Sequence, residues 1–135
     1  MTYNLQISEI QARVLVNALD AYSRIYLGQF DTAILDQFLF SPDVSGTQMD
    51  AARKLLDEAK KVITGHDSNA SFGIHSTEVS DKARIAYDIQ QVIRHQLWKD
   101  ESHKGFQGGV WSYSPHQTST EGVNLARIER LNVNN

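Results

Sequence analysis

The sequence predicts an α+β domain that is mainly α, with about four helices, a short N-terminal strand and a short C-terminal strand. Three observations predict it. Apolar residues recur at three- and four-residue spacing in four separate segments, the period of a helix with one buried face. Ser, Thr, Asp and Gly stand where such segments should be capped. Near each end of the chain, a short stretch instead carries the alternation or aromatic clustering of a strand.

Residues 2–7 come first. Tyr3, Leu5 and Ile7 fall on one side, and Thr2, Asn4 and Gln6 on the other, which reads as a half-buried strand. Ser8, with Gln11 three residues on, opens a helix over about 8–27 through a capping box. Its stripe is Ile10, Val14, Leu15, Ala18, Leu19, Tyr22 and Ile25, and Gly28 ends it. In the second helix, Phe30, Ala33, Ile34, Leu35 and Phe38 share a face, Asp31 serves as cap, and Pro42 forbids continuation. A third helix opens at Thr47 with Asp50 and closes at Gly65. Met49, Ala52, Leu55, Leu56, Ala59, Val62 and Ile63 form its stripe. Arg53, Lys54, Asp57, Glu58, Lys60 and Lys61 form a face that reads as solvated.

The loop 66–77 is rich in Ser, Asn and Gly. Ser80 then caps a fourth helix, with Asp81 in its first turn, where the helix dipole favours an anion. Ile85, Ala86, Ile89, Val92, Ile93 and Leu97 form its core stripe. Val110, Trp111 and Tyr113 suggest the last strand. Residues 1–115 read as one α-rich domain and 116–135 as a C-terminal tail, packed on that domain or on a partner subunit. The two strands either pair with each other or extend a sheet across a dimer, because a lone strand has unsatisfied edges.

Composition narrows the functional classes. The chain has 135 residues and 41% hydrophobic content, enough for one domain with a core. A net charge of -3 argues against a nucleic-acid binder. The chain has no cysteine, which removes disulfides and thiolate metal sites and fits a reducing cytoplasm. MTYNLQISEI lacks the basic and apolar regions of a signal peptide, and no apolar run is long enough to span a membrane. The reading is a soluble intracellular protein.

Residues 71–98 concentrate the chemistry. Arg84, Asp88, Gln91 and His95 are four, three and four residues apart, hence on one face of the fourth helix. Together they offer groups for phosphate and for base edges. The plainer reading is a solvent-facing stripe with an Arg-Asp pair. Before the helix, Phe72 offers a stacking surface, Gly73 backbone freedom and His75 a titratable donor. The same loop reads equally well as anchored to the core by Phe72 and Ile74. Arg94 and Trp98 have the spacing of a cation-π pair, or of a dipole-compensating helix end with Trp98 in the core. The first helix carries a comparable stripe, Arg13, Asn17, Asp20 and Arg24, which would share a groove with the fourth if the two were neighbours.

Enzyme signatures are absent: there is no HExxH, GxxxxGK[ST], GxGxxG or GxSxG. The five histidines lack metal-ligand spacing. Asp88 with His75 or His95 could do acid-base work on chemical grounds alone.

At QARVLVNALDAYSRIYLGQF (11–30) and SFGIHSTEVSDKARIAYDIQQVIRHQLW (71–98), roughly a third of the chain, the sequence resembles small accessory proteins of tailed bacteriophages. That resemblance implies a phage product acting in the host cytoplasm. One class of such proteins, the sponges, sequesters nucleotide immune signals in homo-oligomers, and this chain is similar to them in size, compartment and helix content. By that analogy it is expected to be a non-enzymatic, homo-oligomeric anti-defence protein capturing a cyclic-nucleotide or ADP-ribose-type signal, without cofactor or metal. Arg24, Arg84 and Arg94 would meet phosphate, Phe72, Tyr87 or Trp98 would stack on a base, and His75, Asp88 and His95 would hydrogen-bond its edges or ribose. An alternative is an inhibitor that binds a host protein through an apolar helix face or through residues 110–113. A hydrolase of the same signal is a third.

Overall fold

The computed structural model describes residues 1–39, 41–101 and 109–132. Among them are four α-helices: α1 (Glu9–Tyr26), α2 (Phe30–Leu35), α3 (Gly46–Thr64) and α4 (Asp81–Glu101). Single 3₁₀ turns follow α2 at Asp36–Phe38 and precede the tail at Val110–Ser112. The architecture is therefore mainly helical, and the two expected strands are not formed among the described residues. Residues 2–7 take no regular secondary structure; Tyr3 and Leu5 are exposed, and only Ile7 of this segment reaches the core. Val110 and Trp111 lie in the 3₁₀ turn, entered through Gly109 at φ +79°.

The helix ends follow local chemistry. Ser8 and Gln11 form the capping box of α1, with the Gln11 amide accepting from Ser8 N–H at 2.8 Å, an arrangement worth about 1 kcal/mol. The cap of α3 is Ser45, two residues before Thr47, because Ser45 and Gln48 make the same reciprocal pair. It stops at Gly65, whose left-handed backbone (φ +73°) lets its N–H bond to the Lys61 carbonyl. α2 has no side-chain cap; Gln29, not Asp31, precedes it.

α1 and α4 pack antiparallel. Arg13 pairs with Glu101 at one end, and Ser23 Oγ donates to the Ala83 carbonyl at the other. Between them Ala12 and Val16 meet Ile93 and Leu97, flanked by Leu15, Leu19, Ile89, Trp111 and Ile128. α2 rests on α1 and bridges to α3, which has no contact of comparable extent with α1 or α4. This departs from the expected burial. In α1 the inward residues are Ala12, Val16 and Ser23, while Ile10, Val14, Tyr22 and Ile25 stay exposed. In α3 the only buried residue is Lys60, and Leu55, Val62 and Ile63 face outward. Lys60, expected on a solvated face, donates to the carbonyls of Ser68 (3.1 Å) and Ala70, tying α3 to the following loop. No helix among the described residues is long and apolar enough to cross a membrane.

Candidate functional site

The polar stripe of α4 is buried. Arg84, Asp88 and Gln91 are 8%, 4% and 6% exposed, which polar groups tolerate only when their hydrogen bonds are met. Those bonds come from the chain itself. Arg84 sits at the helix start as a hub: Nε donates to Asp81 at 2.7 Å, Nη1 to the carbonyls of Ile74 and Ser76, and Nη2 to that of Val79. Its carboxylate partner is thus Asp81, three residues earlier, and not Asp88. The guanidinium fork locks the loop before α4 onto its first turn.

Asp81 and Asp88 in turn hold the tail. Asp88 accepts from Thr118 N–H, the Thr118 hydroxyl and Ser119 N–H. Asp81 accepts from the N–H and hydroxyl of Thr120 and from Glu121 N–H. Gln91 pairs with the main chain of His116 in both directions, donating at 2.9 Å and accepting at 3.1 Å, as a neighbouring strand would. His95 Nδ1 lies 3.0 Å from the Trp111 carbonyl. The tail therefore runs antiparallel to α4, and the lengths match. The ten residues from Asp81 to Gln91 rise about 15 Å, and five extended residues from His116 to Glu121 cover about 16 Å. The Arg84 guanidinium is the main cause that holds the Asp81 carboxyl below its ordinary range; the Thr120 N–H adds to it and burial opposes it.

The remaining expected binding residues are spread over several places. Arg24 is committed to Asp20 (2.8 Å) and Gln29 (2.5 Å) near the end of α1. Asp20 also accepts from Gln90 of α4, so the stripes of α1 and α4 do not line one groove: the α4 stripe faces the tail. Phe72 is half-buried, its N–H donates to Leu27, and its ring meets His66 edge-on at 5.0 Å. His75 is exposed. Arg94 lies over Tyr87, 5.5 Å from the ring centre, and not over Trp98; Trp98 stacks on His95 at 5.6 Å. All four side chains are half-buried, in two separate pairs on α4, and the Trp98 Nε1 is buried and finds no acceptor among the described residues. Among the described residues no three His, Asp or Glu converge as a metal site.

One concavity was missed at the level of sequence. An apolar groove of about 400 Å³ lies between α2, its following 3₁₀ turn and α3, bordered by Ile34, Phe38, Val44, Met49, Leu55 and Leu56. The stripes of α2 and α3 were legible, but each was assigned to a core rather than to the walls of an open groove. Compared with protein-family models, curated proteins and solved structures, the chain matches none.

Proposed function

We propose that this protein works by binding a protein partner through the groove between α2 and α3, in keeping with the phage inhibitor reading of its sequence. The observation that carries the proposal is the groove itself: it is lined almost wholly by apolar side chains, and Phe38 and Leu55 at its edge are 47% and 67% exposed. An open apolar groove between two helices suits the apolar face of a partner's helix. Arg84, Asp88 and Gln91, the strongest polar candidates for a small ligand, are engaged within the chain.

The test is affinity capture from host lysate with the wild type and with Phe38→Glu and Leu55→Glu, both at exposed positions. A protein retained by the wild type and lost by both variants supports the reading. Capture profiles indistinguishable between wild type and variants sink it.

A second reading, sequestration of a nucleotide signal, is favoured by two half-buried pairs on α4, Arg94 over Tyr87 and His95 on Trp98, which offer a guanidinium and stacking surfaces. Incubation with a nucleotide panel, followed by heat denaturation, would release intact ligand on this reading and altered ligand if the protein is a hydrolase.

A further inference from the structure

From the charges beside the groove we infer that its partner is a cationic amphipathic helix. Such a helix lays apolar side chains between α2 and α3 and sets Lys or Arg against Asp36 and Asp43. The inference rests on the reading of the groove as a protein-binding surface and adds the chemistry of the partner.

The walls decide between a helix and an extended segment. Among the described residues their one polar side chain is Gln48, whose carbonyl oxygen already accepts from the Ser45 N–H at 2.7 Å. No strand among the described residues offers an edge to extend. An extended peptide brings a main-chain N–H and C=O at every residue, and here it would bury them without partners. A helix meets those groups internally and presents only side chains, at i, i+4 and i+7, to an apolar surface.

Charge decides which helix. From Asp31 to Ala52, the stretch that builds most of the groove, the chain has four Asp and no Glu, Lys, Arg or His. Arg53 compensates two of them, Asp31 at 3.8 Å and Asp50 at 3.2 Å. Lys54 stands two residues from both Ala52 and Leu56, hence on the side of α3 away from the groove. Asp36 and Asp43 are left; both are exposed, and neither has an ion pair among the described residues. Asp36 directly follows Leu35, and Asp43 directly precedes Val44, two residues of the groove wall. Consecutive Cα atoms are about 3.8 Å apart, so both carboxylates act on the groove within the roughly 8 Å screening length of physiological salt.

The end of the groove where the chain turns from α2 to α3 is therefore anionic. It repels an acidic helix and an anionic lipid surface. A second copy seated groove to groove about a twofold axis brings the same two carboxylates towards their own copies. Cations flanking an apolar stripe complement both the walls and the rim.

The experiment uses the full chain and two synthetic helical peptides with the same leucine stripe, one with Lys and one with Glu at every polar position. By fluorescence anisotropy in about 20 mM salt, the Lys peptide should bind at least about tenfold more tightly, and in about 0.5 M salt the ratio should shrink to about threefold or less. Asp36→Asn with Asp43→Asn should remove most of the preference. Glu78→Gln with Glu129→Gln, which cancels as much charge at exposed positions outside α2 and α3, should keep it. A further readout needs no variant: the chain has two methionines, Met1 and the groove residue Met49. With isotope-labelled methionine methyl groups, the Lys peptide should shift the Met49 resonance and leave that of Met1. A Glu peptide that binds as tightly overturns the inference and leaves the groove a helix-binding surface. Binding of neither peptide, a preference that persists in the Asp36→Asn and Asp43→Asn variant, or a shift of Met1 alone also overturns it. The protein-partner reading is then still judged by the capture comparison with Phe38→Glu and Leu55→Glu.

Discussion

Thr118 delivers both its main-chain N–H and its hydroxyl to a single carboxylate, that of Asp88, with the hydroxyl at 2.6 Å from Oδ1 and the N–H at 2.9 Å. Ser119 N–H adds a further bond at 3.0 Å to Oδ2. Asp88→Ala leaves the Thr118 and Ser119 N–H groups without an acceptor, and the Thr118 hydroxyl with only the Arg84 carbonyl at 3.4 Å; hydrogen bonds to charged groups are each worth about 1.5–3 kcal/mol. The expected loss is about 3 kcal/mol in urea unfolding, or roughly 10 °C in melting temperature. Asp88→Asn keeps one carbonyl acceptor and should lose about half as much. In both variants residues 116–121 should become more readily cleaved by protease.

Arg84 gathers four oxygens from two segments. Lys in its place supplies charge without the planar fork. Arg84→Lys is expected to destabilise by about 2 kcal/mol and Arg84→Ala by about 3 kcal/mol, read from urea midpoints. A fully stable Arg84→Ala variant would free this residue for ligand binding.

Acid should loosen the same junction. Asp81 is held below its ordinary pKa in the fold, so its ionisation adds stability at neutral pH. That contribution starts to fall once the pH drops below about 4, where the unfolded carboxyl protonates, and is gone below the lowered folded value. Urea midpoints measured from pH 6 downward should decline in this window, and less steeply in Asp81→Asn.

Gly28 follows α1 at φ +76°, and a Cβ there would lie 3.1 Å from the Ala70 carbonyl oxygen and 3.4 Å from Lys60 Cε. Left-handed backbone costs a non-glycine residue about 1–2 kcal/mol before that contact is counted. Gly28→Ala should therefore lower stability by about 2 kcal/mol, with α1 and its capping box intact by circular dichroism.

Much of the helical frame was legible because capping is local. Ser8 with Gln11 marks α1, and Gly65 closes α3. The start of α3 was misplaced because Thr47-Asp50 and Ser45-Gln48 both look like openings; glutamine reaches back to the cap N–H, and that pair forms. The strands were over-read. Alternation at Tyr3, Leu5 and Ile7 shows only that a segment is extended, and a partner lies outside any local pattern. The role of the α4 stripe was invisible for a related reason. Asp88 and Gln91 accept from main-chain N–H groups 25 to 31 residues away, and every residue but proline has one.

The chain contains two tryptophans, and both converge on His95: Trp98 stacks on the imidazole, and the Trp111 carbonyl meets its Nδ1. Intrinsic fluorescence is therefore a single-locus reporter. Its emission records whether the segment leading into the tail is seated on the end of α4, so docking can be followed in real time without a label.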